Sequence, residues 1–298
     1  MAAKVIDDPA AGEVQLVRSP RSKRISIRVH PVRGVTVTLP TFCSYADGTR
    51  AFAEKREWVL ETLERLRRRC DEAERDGTGV PRLCDGAVVH TLLSEIVFSR
   101  DAAALEPGFA IAVTPAVDPG QSGRPVSDAE RPPVHKEVRY PGSLPPEGSG
   151  ALSSALMPVL VELLREEASA LLPEKLSRLA VRYGFAYGRV CIKHNSSNWG
   201  SCSAKGNINL NLNLVRLPEA LCDYVLLHEL CHLRYLDHGP RFHELLERLC
   251  ADNLGRLASC AGPSDSVLPE IIASVRRSRA RFPVQHVLKC RLKAYRLI

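Results

Sequence analysis

The 298 residues are 45% apolar and 25% charged, an ordinary globular balance with enough chain for one large domain or two small ones. No run approaches the roughly 18 consecutive apolar residues of a membrane helix, and Asp7, Asp8 and Pro9 stand where a secretory leader would place its apolar stretch. These features predict a cytoplasmic protein without a membrane partner. Its ten cysteines are expected to be reduced and packed as small apolar side chains, and none are spaced Cys-x-x-Cys. The net charge of +7 is uneven. Residues 258–298 hold eight basic and two acidic side chains, and a smaller basic cluster lies at Arg18, Arg21, Lys23, Arg24, Arg28 and Arg33. A basic end can dock on nucleic acid, but it also suits a solvated helix, and no nucleic-acid module accompanies it.

In chain order, residues 14–17, 25–29 and 35–39 are expected to be strands. Ile25, Ile27 and Val29 alternate with Ser26 and Arg28, the period of a half-buried strand. From 49 to about 73 the apolar spacing turns helical through Phe52, Trp58, Val59, Leu63 and Leu66. Strand-like runs return at 87–93, 95–98 and 109–113. Residues 101–150 contain nine of the 21 prolines and six of the 19 glycines with few large apolar side chains, and read as an insertion or linker. The pattern predicts helix over 153–183, interrupted near Pro158 and at Pro173 and capped by Gly184.

A short strand is expected at 189–193. In 207–214, Ile208, Leu210, Leu212 and Leu214 alternate with Asn207, Asn209, Asn211 and Asn213, predicting a strand with one buried face and one amide-rich face open to solvent or substrate. Pro218 then opens a helix to about Leu236, and further helices are expected at 240–257 and 267–281. The expected division is 1–100, a region of strands and one helix; 101–150, the insertion; 151–257, a region of helices and strands; and 258–298, a basic extension.

The sharpest motif is His228-Glu229-Leu230-Cys231-His232 inside a predicted helix. Two histidines one turn apart share a face and can share a metal, while Glu229, about 100° around, can reach a water on that metal without ligating it. Unpaired imidazoles on the core side of an apolar helix would otherwise be costly. A catalytic zinc needs a third protein ligand and an open position. His238 is the favoured third ligand because it lies just past the expected helix end, where the chain can turn back; His243 is the runner-up. Cys231 points away from the two histidines. The spacing also occurs in metzincins, but Tyr235 occupies their glycine position, and Met1 and Met157 both precede the motif, so no methionine turn follows.

Three stretches resemble the YgjP-like metallopeptidase family, relatives of the SprT-like zinc proteases. They are Trp199-Gly200-Ser201-Cys202-Ser203 with the strand from Gly206 to Asn211, the helix from Asp223 to Leu233, and Asp237-His238-Gly239-Pro240-Arg241-Phe242. The strands of 18–39 and the helix bearing Lys55 and Trp58 also look like this family's beginning, so the likeness covers roughly 14–250. Departures are Asn198, where the family usually has a basic residue, and His243, where a tryptophan is common.

The resemblance implies an α+β fold of zincin-like type. A mixed or antiparallel sheet would pack on the helix of the two histidines, preceded by an N-terminal β-rich part. It implies one Zn²⁺ per chain on His228, His232 and His238, and a protein or peptide substrate. Zinc on three imidazoles lowers the pKa of its water toward about 7, and Glu229 takes the proton and returns it to the leaving amine. Tyr235, His243, Arg241 and His194 are candidates to steady the oxyanion. Trp199 either walls the pocket or belongs to the core. The strand with Asn209 and Asn211 is expected to be the edge on which an extended peptide pairs. Two alternatives stay open. One is a metal-dependent nucleoside triphosphate (UTP-type) pyrophosphatase, although there is no Gly-rich phosphate loop and three histidines suit zinc better than magnesium. The other is a DNA-associated SprT-like protease recruited by the basic end.

Overall fold

The computed structural model describes residues 3–30, 34–75, 78–101, 108–114, 134–147, 149–260, 267–278 and 281–298. The chain forms two compact units, residues 1–79 and 80–298. The class is mixed α+β, with several small sheets.

The first unit holds β1 (Ala3–Asp8), β2 (Gly12–Arg18), β3 (Ser26–His30) and β4 (Gly34–Leu39) in the order β1-β2-β4-β3. β2 and β4 are parallel and the other pairs antiparallel. Alternation places Val14, Leu16, Val35, Val37 and Leu39 on one fully buried face. α1 (Tyr45–Glu54) and α2 (Arg56–Arg75) cover it with Phe52, Val59 and Leu63. The single helix expected over 49–73 is thus two. It starts early because Ser44 and Asp47 form a reciprocal capping box, and it breaks at Lys55. β1 has no counterpart among the expected strands. Its turn forms because Asp8 Oδ1 accepts from the amides of Ala10 and Ala11 at 3.0 and 2.9 Å and Gly12 adopts φ +72°.

The second unit begins with β5 (Val88–His90), β6 (Ser94–Asp101), β7 (Ala110–Thr114) and β8 (Val134–Pro141), in the order β5-β6-β8-β7. Two of these strands lie inside the stretch expected to be a linker. β8 pairs with β6 over eight residues and buries Val138 and Tyr140 completely, so 101–150 is not a simple spacer. The Pro- and Gly-rich remainder, 102–107, 115–133 and 148, lies outside the described residues. The boundary between units accordingly falls at 79/80 rather than 100, because β5 pairs with β6 and β6 pairs with β8.

α3 (Gly150–Tyr183) runs 34 residues without the expected interruptions, carrying Pro158 and Pro173 inside it. Each proline forfeits a helical hydrogen bond at a cost of about 3 kcal/mol. The buried ladder Leu152, Leu156, Leu160, Leu164, Leu172, Leu176 and Leu179 outweighs that loss. Gly184 caps the helix at φ +67°, as expected. Buried Glu167 ties α3 to the sheet, accepting from Ser94 Oγ, from Thr91 Oγ1 at 2.6 Å and from Lys136 Nζ at 2.6 Å.

β9 (Val190–Lys193), β10 (Gly200–Cys202) and β11 (Ile208–Asn211) form a second sheet in the order β10-β11-β9. β11 is parallel to β9 and antiparallel to β10. The alternating run does not stay extended: after Asn211 it becomes a 3₁₀ turn, Leu212–Arg216. Then come α4 (Glu219–Cys231), α5 (Pro240–Cys260), α6 (Val267–Ser278) and α7 (Val284–Leu292). Residues 258–298 are therefore not a free basic extension. Leu268, Ile271, Val275, Val284, Val287, Leu288 and Leu292 join the same core cluster as Leu226 and Leu230 of α4. On these two helices Glu270, Arg276, Arg277 and Lys289 are exposed and Arg291 is half-buried. No helix among the described residues is long and apolar enough to cross a membrane.

Candidate metal centre

α4 is buried nearly all round, as expected of a helix threaded between α3, α5, α7 and β10. It ends at Cys231, earlier than the sequence pattern suggests, and His232 takes the C-cap. The backbone amides of Arg234 and Tyr235 both reach back to the carbonyl of Cys231, at 3.0 Å each, and so tighten the turn. The loop that follows returns His238 over the helix end before α5 starts at Pro240.

The result is a cluster of three imidazoles whose candidate ligand nitrogens all lie within 4.8 Å of one another. His228 Nε2 is 3.2 Å from His232 Nε2 and 3.1 Å from His238 Nε2. A tetrahedral ion with metal–nitrogen bonds of about 2.0–2.1 Å separates its ligand nitrogens by about 3.3–3.4 Å. The two distances from His228 fit such an ion with adjustments of a few tenths of an ångström. His232 Nδ1 is 3.0 Å from the carbonyl of Tyr235, which can only accept, so Nδ1 carries the hydrogen and Nε2 is left to bind. Burial foremost, then the neighbouring histidines, hold the His228 imidazole neutral down to a pKa of about 3; burial lowers His238 as well. Neutral imidazoles are what a metal requires. Phe242 at the start of α5 fixes their packing, its buried ring 5.0, 4.7 and 4.7 Å from those of His228, His232 and His238.

Glu229 is 4% exposed, and its Oε2 has no hydrogen-bond partner among the described residues. Burial pushes its carboxyl up to about 7. Across from it lies Gly200 of β10. A Cβ there would stand 2.7 Å from Glu229 Oε1, 2.8 Å from Cγ and 2.9 Å from Cδ. Glycine is thus required at 200 by this carboxylate rather than by backbone conformation. We expect Gly200→Ala to displace Glu229. Hydrolysis should fall tenfold or more at full metal content, with a stability loss of about 1–3 kcal/mol from overpacking. Paired metal analysis and kinetics check this, and unchanged kcat would show that the carboxylate has no fixed position.

The other expected contacts divide. Tyr235 contributes its backbone carbonyl to His232, and its ring is partly buried against the core. Trp199 likewise packs partly buried on that core, and its carbonyl accepts from the amide of Asn211 at 2.9 Å. Asn211 is 1% exposed, and its Nδ2 donates to the carbonyls of Asn195 and Asn198 at 2.7 and 2.8 Å. It holds the loop before β10, so the amide face expected to be open is closed at this position. Asn213 is buried too. Asn209 does remain partly exposed, donating to Ser201 Oγ at 3.1 Å. β11 is the middle strand of its sheet and offers no free edge; β10, beside Glu229, is the outer strand on that side. His194 Nε2 lies 2.7 Å from the carbonyl of Ile298 and is not among the clustered histidines. Arg241 is exposed at the first turn of α5, with no hydrogen bond or ion pair from its side chain among the described residues. Cys231 is buried, its thiol raised to about 12 by burial, and it is not one of the clustered ligands.

His243 has a partner that its sequence neighbourhood does not announce. Gln285 of α7 donates from Nε2 to the His243 carbonyl at 2.8 Å and presents Oε1 to His243 Nδ1 at 3.1 Å. The carbonyl fixes which end of the amide is nitrogen, so His243 Nδ1 carries a hydrogen. Its ring centroid is 6.4 Å from that of His238. His243 is thus a neighbour of the triad, outside the group of clustered ligands.

Residues 149–256, from the start of α3 through most of α5, match the family model described as YgjP-like, metallopeptidase domain. The match contains the three histidines, Glu229 and Gly200, and leaves the first unit and residues 257–298 outside it. It suggests a hydrolase of metallopeptidase type with a metal cofactor, and the His228, His232 and His238 group is suited to hold the metal. No curated protein and no solved structure matches the chain.

Proposed function

We propose that the chain is a zinc-dependent metallopeptidase that hydrolyses peptide bonds, with Glu229 as general base. The observation that carries this reading is a buried carboxylate, its Oε2 without a hydrogen-bond partner among the described residues, next in sequence to one of three imidazoles at metal-sharing distance. Three nitrogen ligands suit Zn²⁺, and magnesium would call for oxygen ligands. Zinc bound there supplies a Lewis acid and a water of lowered pKa. Glu229, desolvated and with no donor on its Oε2 among the described residues, would hold the proton taken from the nucleophile and release it to the leaving amine. Its position is set on one side by α4 and on the other by Gly200. The edge of β10 lies beside the same carboxylate and offers backbone groups for an extended peptide to pair with.

Zinc content and hydrolysis measured together test the assignment. Purified protein is expected to hold one zinc per chain and to cleave unfolded protein. His228→Ala and His238→Ala should lose the metal and the activity together. Stoichiometric zinc in either variant would overturn the ligand set. Hydrolysis of nucleoside triphosphates without peptide cleavage would move the function to the pyrophosphatase class.

A further inference from the structure

The family match ends at residue 256, and the chain beyond it returns to the loop that leads into β10. The Glu247 carboxylate of α5 accepts from the first amides of α7, those of Val284 and Gln285, at 2.9 Å each, which fixes where α7 starts. Past the end of α7 at Leu292, Tyr295 and Ile298 pack partly buried on the core. Three side chains hold main-chain groups of Arg296 and Ile298. His194 Nε2 donates to the carbonyl of Ile298 at 2.7 Å, and Arg216 Nη1 donates to the carbonyl of Arg296 at 3.2 Å. Asn213 Oδ1 accepts from the amide of Ile298 at 3.1 Å.

Asn213 passes this contact on. Its Nδ2 donates to Asn211 Oδ1 at 2.9 Å, and Asn211 Nδ2 donates in turn to the carbonyls of Asn195 and Asn198 at 2.7 and 2.8 Å. Each side-chain amide has one orientation. The backbone amide of Ile298 requires an acceptor from Asn213, and the backbone amide of Asn213, 3.0 Å from Asn211 Oδ1, requires one from Asn211. Both asparagines are buried, where a broken link would leave polar groups unpaired. The segment thus grips the loop between β9 and β10 twice, directly at His194 and through the asparagine pair at 195 and 198. Trp199 follows at once, and then Gly200, the residue packed against Glu229.

We propose that Arg296–Ile298 is a positioning segment: by clamping the loop of residues 194–198 it fixes the wall at Gly200 that seats the Glu229 carboxylate. Its effect on catalysis rests on the peptidase reading. The segment touches none of the reacting atoms or the clustered histidines, so its loss should leave the metal in place and fall on kcat. A displacement of about 1 Å in a catalytic group is enough to cost about 10²-fold. The cradle of His194, Asn213 and Arg216 holds main-chain groups, so a separate peptide can occupy it as the attached segment does.

Trp199 supplies a local probe, because the other tryptophan, Trp58, lies in the first unit. In a Trp58→Phe background, deletion of 296–298 is expected to move Trp199 emission to longer wavelength, with or without zinc. It should also lower kcat by about tenfold or more at undiminished zinc content. A synthetic peptide of residues 293–298, added in excess, should restore both. If the deletion does not fold, His194→Leu and His194→Gln carry the same test, because glutamine keeps a donor near the place of Nε2 and leucine does not. His194→Leu should shift the emission and lose activity, and His194→Gln should do neither. Unchanged emission, a shift with parental kcat, zinc lost in step with kcat, or equal losses in the two His194 variants each overturn the proposal and leave the peptidase reading intact. A parent enzyme that cleaves no peptide sinks the peptidase reading instead, and Trp199 emission with its restoration then decides the clamp alone.

Discussion

Glu229→Gln is expected to keep its full complement of zinc and lose peptide hydrolysis by roughly 10²–10⁴-fold, the usual contribution of a positioned acid–base group. The amide has nearly the carboxylate's shape and fits the same space against Gly200, so positions elsewhere in the site need not change. Glu229 is not one of the clustered ligands, so metal content should not follow it. The loss should fall on kcat, with KM nearly constant, because a proton acceptor acts during the chemistry and not in ground-state binding. Full activity in this variant would dismiss Glu229 as the base.

The same carboxyl makes pH a second probe. A base must be ionised, so activity should rise with pH through the carboxyl's pKa, which burial raises to about 7 in the metal-free site. A cation on the histidines favours the ionised form, so the acid limb should lie at pH 7 or below in the loaded enzyme, and Glu229→Gln should lack that limb. The linkage to stability has the opposite sense to that of an ion-paired carboxylate. Because the folded-state pKa is raised, the contribution is fully present below the unfolded-state value and is lost as pH rises through about 7. Metal-free protein should therefore weaken across that window, the cost of keeping a base dry.

The metal helix was legible because its chemistry is local. Two histidines at i and i+4 share a helical face whatever surrounds them, and His238 sits within one short loop of their helix. The strands of 14–17, 25–29 and 35–39 were legible for the same reason, since alternation alone buries Val14, Leu16, Val35 and Val37. Alternation misled at 207–214, where the same spacing serves a four-residue strand and then a 3₁₀ turn. Their difference lies in what the asparagines bind: Asn211 reaches the carbonyls of residues 195 and 198, a contact that no periodicity encodes. Prolines 158 and 173 misled in the other direction, because a local penalty yields to burial supplied by distant segments. α7 was hidden for the most basic reason. Its tie to His243 spans 42 residues, and its positive charge suggested a solvated end while its other face joins the core.

The second large effect is expected far from the chemistry, at the root of the metal helix. Lys175 of α3 is 3% exposed at its side chain; its Nζ lies 2.6 Å from Glu219 Oε1 and 2.9 Å from Asp223 Oδ1, both on the first turns of α4. Asp223 also accepts from Asn253 Nδ2 of α5 at 2.8 Å and lies 3.7 Å from Arg256 Nη2, so Lys175, Arg256 and two carboxylates tie three helices together. Removing Lys175 leaves two buried carboxylates with the longer contact from Arg256 to Asp223, at 3.7 Å, as the ion pair that remains. Lys175→Met is therefore expected to cost about 3–5 kcal/mol, against a packing gain too small to offset it. In a unit of this size that corresponds to a fall in Tm of about 6–20 °C. Metal affinity should weaken in the same variant, since loosening the start of α4 frees the helix that carries His228 and His232. Adding Glu219→Gln and Asp223→Asn to Lys175→Met should recover most of the loss, because a group of neutral side chains no longer buries uncompensated charge. A Tm within two or three degrees of the parent for Lys175→Met alone would mean that α3, α4 and α5 are held by their apolar faces and not by this cluster. Recovery in the triple variant would assign the cost to stranded charge, whereas a still lower Tm would assign it to the lost hydrogen bonds.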